Sequence, residues 1–165
     1  MKLTDMFLGQ LEREVPITRR ALERVPPDRA QWKPHPKSMS LGSLASLIAS
    51  MPSWIATMIE KDELDIGAGE GASKPTSTNR ELIELLDKSI DTARRALSKT
   101  NDEHLMTRWK LRFGDRILSE APRYVMINGA VLMHLAHHRG QLTVYLRLND
   151  IKVPVIYGAT ADETH

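Results

Sequence analysis

Cysteine is missing from this 165-residue sequence, and aromatic residues are few. Without cysteine the chain has no disulfide, no thiolate ligand, no cysteine nucleophile and no iron–sulfur cluster, so His, Asp or Glu must hold any metal. Three Trp, three Tyr and two Phe leave Leu, Ile, Val, Met and Ala to build the core. That composition favours packed helices over a β-sandwich.

Long hydrophobic runs and an excess of one charge are also lacking. The opening MKLTDMFLGQLERE mixes charges with apolar residues, unlike a signal peptide, and nowhere do about 18 apolar residues run together. The formal charge of +2 comes from 23 basic and 21 acidic residues spread along the chain, which does not indicate a nucleic-acid surface. We predict one soluble, cytoplasmic domain over residues 1–165, with neither nucleic acid nor membrane as a partner.

Apolar residues at three- and four-residue steps predict two helices in the first half of the chain. The first covers about residues 3–25 and is expected to kink at Pro16. The second is expected to begin near Ser38 or Ser40, to bend at Pro52 and to end near Lys61. Four prolines between residues 26 and 36 predict a turn between these helices.

Two further helices are predicted in the second half. The third opens with Thr78-Asn79-Arg80-Glu81, a capping box in which hydroxyl and carboxylate satisfy free amides at the helix start. The fourth is expected from about Ala121 to Leu148, where Asn149-Asp150 should end it. The apolar residues of the following tail VPVIYG predict that it packs back on the helices.

The connections add detail to this all-α prediction. Residues 65–77 are rich in Gly, Ala, Ser and Thr and predict a long connection between helices two and three, and such connections often border a site. Trp109, Leu111 and Phe113 alternate before Gly114-Asp115, which suggests a short β-hairpin before helix four. The overall prediction is a four-helix bundle with these two additions.

The sharpest motif is HLAHHRGQ, in which His134 and His138 stand four residues apart. On a helix this spacing places both imidazoles on one face, where two nitrogens can bind a single ion. Spacing alone leaves open a second interpretation, in which both are core histidines satisfied by hydrogen bonds. Gln141, one turn past His138, is a candidate to hydrogen-bond an imidazole and fix its tautomer.

Other residues near the pair are interpreted as structural. His137 lies about 100° away from His138 around the helix axis, which favours the surface or a supporting contact over metal binding. Arg139 is expected to form a salt bridge elsewhere, and Gly140 to permit close helix packing. His35 and His104 fall in predicted loops, where solvated histidines are common. Large aromatic residues, among them Trp32, Trp54, Tyr145 and Tyr157, are candidates for a pocket wall or for the core.

Several runs of the sequence resemble the DinB/YfiT-like superfamily of metal-dependent four-helix-bundle enzymes. They are HLAHHRGQLTVYLRLNDIKVPVIYG, WKPHPKSMSLGSLASLIASMPSW, TRRALERVP and the APR at the start of helix four. The resemblance implies a divalent ion, Zn or Ni, held by three histidines: two from helix four, matched by His134 and His138, and one from helix two. The position of that third histidine is Leu47.

Leu47 changes what the resemblance implies, because leucine offers no lone pair. Perturbing even a supporting partner of a metal ligand costs about 10- to 100-fold in affinity, so losing an imidazole should cost at least that. Ser43, Ser46, Ser50 and Met51 lie nearby, but hydroxyl and thioether groups are poor ligands for Zn or Ni. We therefore expect metal binding that is weak or lost.

Two functions from different classes remain open at this stage. One is a metal-dependent hydrolase, or a transferase that uses a low-molecular-weight thiol as cosubstrate, and its catalytic residues are unknown. The other is a metal-free bundle that binds a small molecule or pairs into a dimer, which Leu47 favours. A DNA-binding role, suggested only by the family's name, gains nothing from the charge distribution. The methionine-rich second helix suits a homodimer surface or, more commonly, a core.

Overall fold

Helices make up most of the computed structural model, which describes residues 2–68 and 78–164. The α-helices are α1 (Leu3–Glu23), α2 (Leu41–Ser50), α3 (Trp54–Glu60), α4 (Asn79–Lys99), α5 (Asp102–Met106), α6 (Arg123–Met126) and α7 (His134–Leu148). The strands are β1 (Glu63–Asp65), β2 (Arg108–Phe113) and β3 (Arg116–Pro122). A π-helical segment, Ile127–Met133, joins α6 to α7.

The first predicted helix corresponds to α1, and Pro16 lies inside it with helix on both sides. The second predicted helix is divided at Pro52, as expected of a residue that lacks an N–H and clashes with the preceding turn. A 3₁₀ turn, Met51–Ser53, separates α2 from α3. Ser40 caps α2 by accepting a 3.2 Å hydrogen bond from the Ser43 backbone N–H.

The predicted capping box of the third helix is confirmed. The Glu81 backbone N–H donates to Thr78 Oγ1 at 3.1 Å, and the Thr78 backbone N–H donates to Glu81 Oε2 at 3.1 Å. Both bonds satisfy amides that have no partner within the helix, so α4 starts at Asn79. Of the connection predicted before this helix, residues 69–77 lie outside the described residues.

A three-stranded sheet, ordered β1-β2-β3, packs beside the helices. Strands β2 and β3 pair antiparallel, and Gly114 between them adopts the left-handed φ of 56° that favours glycine. Strand β1 pairs parallel with β2 and was not predicted, since three residues give no readable alternation. Arg112 holds β1 in place through ion pairs to Glu63 at 2.9 Å and Asp65 at 3.2 Å.

The predicted fourth helix is not a single α-helix. Because β3 extends to Pro122, the helix begins at Arg123, two residues later than expected. Its middle is the π-helical segment, which a pattern based on 3.6 residues per turn did not predict. The helix ends at Leu148, as predicted, and Asp150 takes a left-handed φ of 58° just beyond it.

The tail packs back on the helices, as predicted. Val153 and Val155 are buried. The backbone N–H of Val153 donates to Asp162 at 2.8 Å, and Arg20 donates to the Val155 carbonyl at 2.8 Å. Tyr157 instead leaves much of its surface exposed.

The long helices contact one another in a ring: α1 packs on α4, α4 on α2 and α3, α2 on α7, and α7 on α1. Fully buried apolar residues fill the interior between them, including Phe7, Leu44, Leu86 and Leu142. Within the described ranges one stretch, Leu41–Glu60, is long and apolar enough to cross a membrane, with a mean hydropathy of 1.3. Of that window, 67% is buried inside the protein, where it contributes to the core.

Candidate ligand pocket and histidine pair

His134 and His138 lie side by side at the start of α7. Their ring centroids are 4.4 Å apart, and the ring planes are inclined by 42°. His138 is buried, and His134 is partly exposed. The four-residue spacing therefore places both rings on one face of the helix, and their role as metal ligands stays a prediction.

Each ring hydrogen-bonds through Nδ1 to an oxygen that accepts. His138 Nδ1 lies 2.8 Å from Gln141 Oε1, the contact predicted for Gln141. His134 Nδ1 lies 3.3 Å from the Ala130 carbonyl oxygen. In the neutral rings Nδ1 therefore carries the proton and Nε2 keeps a lone pair. Neither Nε2 has a hydrogen bond to another residue of the ranges 2–68 and 78–164.

The π-helical segment changes the backbone hydrogen bonds beside His134. In an α-helix the His134 backbone N–H would donate to the Ala130 carbonyl, four residues earlier. Here it donates to the Val131 carbonyl. The Ala130 carbonyl accepts from the side chain of His134, and this bond fixes the tautomer of the neutral ring.

The surroundings of His138 favour its neutral form. Burial lowers the pKa of His138 below its ordinary value of 6.5, the hydrogen bond to Gln141 opposes this, and neighbouring His134 and His137 lower the pKa further. A neutral imidazole keeps the lone pair that a metal or a hydrogen-bond donor would need.

The other histidines take different places. His137 is exposed, with its ring 5.1 Å from that of His138, which agrees with a position off the main face. His35 is exposed in its loop. The prediction of a solvated loop position was wrong for His104, which lies in α5 and places Nε2 2.8 Å from the Ile59 carbonyl oxygen.

The donor set does not fit the three-histidine site that the resemblance implies. Leu47 is partly buried against the core and provides no donor atom. The neighbouring hydroxyl of Ser50 donates to the Leu47 carbonyl at 2.9 Å. Across residues 2–68 and 78–164, no group of three His, Cys, Asp or Glu side chains could hold a metal ion. Two imidazoles fall short of the three protein ligands of a typical catalytic zinc site.

An apolar pocket of about 370 Å³ opens beside the pair, and His134 is in its wall. The pocket lies between α3, the sheet and the π-helical segment, and its main apolar walls are Trp54, Met58, Leu64, Trp109 and Leu111. Apart from His134, whose ring centroid is 6.0 Å from that of Trp54, the polar lining residue among the described residues is Thr57. Its size and lining are typical of sites that bind small organic molecules.

The sequence alone indicated only part of this pocket. Of the four aromatic candidates, Trp54 lines it. Trp32 instead packs edge-on against Tyr145, with ring centroids 5.5 Å apart. The wall contributed by β1 and β2 was missed, because Leu64 carried no pattern and the strand pairing that brings it opposite Leu111 is a tertiary contact.

The expected structural role of Arg139 is confirmed. Its side chain is fully buried and donates to Thr18 Oγ1 at 2.8 Å, to Glu14 Oε2 at 2.6 Å and to the Tyr157 hydroxyl. The role expected for Gly140 was wrong: it is exposed, and a Cβ built there would meet nothing within 4 Å.

Comparisons with known proteins identify the fold. No protein-family model and no curated protein matches the chain. Two crystal structures are similar: the DinB-like protein YjoA from Bacillus subtilis (TM-score 0.69, 19% identity, 92% of this chain and 97% of that one) and a DinB-like protein from Bacillus cereus (TM-score 0.70, 22% identity, 92% and 95%). The resemblance predicted from the sequence is thus confirmed at the level of structure: this chain has the fold of DinB-like proteins.

Proposed function

We propose that this protein is a small-molecule-binding domain whose ligand occupies the apolar pocket beside His134. The observation that carries the proposal is the pocket itself, about 370 Å³ in volume and lined almost entirely by apolar side chains. Burying apolar ligand surface there stabilises the complex by roughly 25 cal/mol per Å² before the costs of association. The His134 ring adds a polar group that can orient the ligand.

The architectural part of this proposal is a four-helix bundle. The ring of contacts α1, α4, α2 and α7 supports it, since each of these helices packs against two neighbours. We further propose that the domain works in the cytoplasm, a hypothesis that the absence of cysteine favours.

Homodimerisation is a weaker part of the proposal. The methionines expected to suit a dimer surface, Met51 and Met58, are buried in the core. Any pairing would therefore use other helix surfaces, and light scattering coupled to size-exclusion chromatography tests it directly.

A metal-dependent hydrolase or thiol-dependent transferase is the second candidate. The observation that favours it is the pair of Nε2 lone pairs on rings 4.4 Å apart, which would hold the ion through His134 and His138. Two neutral ligands without a third predict weak affinity for Zn or Ni. Elemental analysis of protein purified without chelator or nickel resin decides between the candidates, since near-stoichiometric metal would favour the enzyme.

The pocket is tested with N-phenyl-1-naphthylamine, a neutral probe whose fluorescence rises in apolar surroundings. We expect saturable binding at one site per chain. Ala130→Phe, which adds a ring to the pocket lining, should weaken binding about tenfold or more, because an overfilled cavity costs roughly 1–3 kcal/mol.

Met133→Phe is the matched control, since Met133 lies in the same π-helical segment but points to solvent and does not line the pocket. Unsaturable binding by the unaltered protein, or equal affinity in both variants, would refute the pocket as the binding site.

A further inference from the structure

We infer that the pocket selects a neutral, compact, ring-containing molecule that presents a hydroxyl hydrogen to Nε2 of His134. This inference rests on the proposed function and names the class of ligand. It follows from the charge of the pocket, its shape and its single acceptor ring.

The pocket lining offers no partner for a charged ligand. No charged side chain of the described residues lines the pocket. Three charged side chains on the adjoining strands are paired with one another: Arg112 binds Glu63 and Asp65, and Asp65 Oδ1 also accepts from the Gly114 backbone N–H at 3.0 Å. A carboxylate or ammonium group inside would lose its hydration without gaining a partner, a loss of several kcal/mol.

The size of the pocket suits a ligand of one or two rings. Cavities of about 150 Å³ with apolar walls accept benzene, so about 370 Å³ has room for a fused two-ring molecule. Trp54 and Trp109 supply aromatic surface, against which a flat ring packs with large buried area.

The His134 ring determines which polar group the ligand should carry. Since Nδ1 of His134 donates to the Ala130 carbonyl, the neutral ring offers only an acceptor, Nε2, to a ligand. The ligand must therefore supply the hydrogen. Thr57 is the other polar residue of the lining. A ligand hydroxyl suits the ring, because it can donate its hydrogen to Nε2.

Isothermal titration at pH 8 with three matched probes tests the inference. We expect 2-naphthol to bind about 2- to 12-fold more tightly than 2-methoxynaphthalene, the equivalent of one neutral hydrogen bond. The anion 2-naphthoate should bind at least about 100-fold more weakly than 2-naphthol, because its charge finds no partner.

Two variants test whether the preference for 2-naphthol over 2-methoxynaphthalene depends on the His134 ring. His134→Leu should make 2-naphthol and 2-methoxynaphthalene equal while both still bind. His137→Leu, which alters an exposed imidazole outside the pocket lining, should leave the preference unchanged. The comparison of the three probes on the unaltered protein stands even if a variant does not fold.

The outcomes separate this inference from the proposed function. Equal binding of 2-naphthol and 2-methoxynaphthalene, or tighter binding of 2-naphthoate than of 2-naphthol, overturns the inference. The pocket would then still be a binding site, but for another class of ligand. Failure of all three probes while N-phenyl-1-naphthylamine still binds also overturns it. Failure of every probe, including N-phenyl-1-naphthylamine, overturns the proposed function itself.

Discussion

His138 and Arg139 are neighbours in α7, but their side chains lie in two different regions of the molecule. Arg139 points toward α1 and is held by Thr18, Glu14 and Tyr157, and only its Nε lacks a partner among the described residues. His138 has one hydrogen bond, to Gln141, and beside it the ring of His134 borders the pocket. Both side chains are buried, yet one region is closed by internal bonds and the other leaves acceptor atoms open.

The difference separates stability from binding. A buried guanidinium must be paired because an unpaired buried charge is costly, so the Arg139 region joins α1, α7 and the tail. A neutral imidazole with an open Nε2 contributes little to folding and remains available to a ligand or an ion. Substitutions should therefore affect stability on the Arg139 side and binding on the histidine side.

The largest expected effect is on stability. Arg139→Met should lower the free energy of unfolding by about 3 kcal/mol, the lower end for breaking a buried pair, because Glu14 is partly exposed and can be rehydrated. Urea denaturation measures it. Arg147→Ala, which removes the surface pair with Asp162, is the control and should cost about 1 kcal/mol or less. Equal losses for both variants would contradict the contrast between the regions.

The second prediction concerns metal binding by the histidine pair. Leu47→His should raise the affinity for Zn or Ni by at least about 10- to 100-fold, because it would place a third imidazole at the helix-two position that the resemblance implies. Competition with a chromogenic chelator measures the affinity. Ile83→His, on α4, is a control at another partly buried apolar position. No gain from Leu47→His would mean that the helix-two position no longer faces the pair.

The smallest predicted effects depend on pH and occur in separate ranges. The pKa of His138 is lowered by burial, so its contribution to stability is full above the unfolded value of 6.5 and is lost as pH falls toward the folded pKa. The pKa of Asp162 is lowered by its hydrogen bonds from Arg147 and the Val153 amide, and that of Glu163 by the Val155 amide. Their contributions should be lost only as pH falls below 3.8 and 4.5, respectively.

Amide hydrogen exchange at stepped pH resolves the two ranges. Protection around His138 should weaken first, and protection at Val153 and Val155 only in stronger acid. Asp162→Asn should remove the acid dependence at Val153 and leave the change around His138 intact. A single common transition would show that the two regions unfold together.

Local chemistry made much of the fold predictable. Ser40 and the Thr78–Glu81 capping box place the starts of two helices through bonds within one turn, and Pro52 interrupts a helix because it lacks an N–H. The Gln141 contact was predictable for the same reason, since residues three apart on a helix are neighbours. These features depend on a few consecutive residues.

The features that the sequence did not reveal depend on distant contacts. Strand β1 exists because β2 offers it a pairing edge, and the pocket exists because that sheet stands opposite α3. His104 was misplaced because its partner, the Ile59 carbonyl, lies 45 residues away in the chain. No pattern of neighbouring residues contains this information.

By itself the sequence determined the helical composition and the pairing of His134 with His138 on one face, because these follow from residue type and spacing. Tertiary structure alone decided that an apolar pocket borders His134 and that a π-helical turn presents the Ala130 carbonyl to its ring. The physical reason is that periodicity fixes which residues share a face, whereas the packing of separate elements fixes what that face meets.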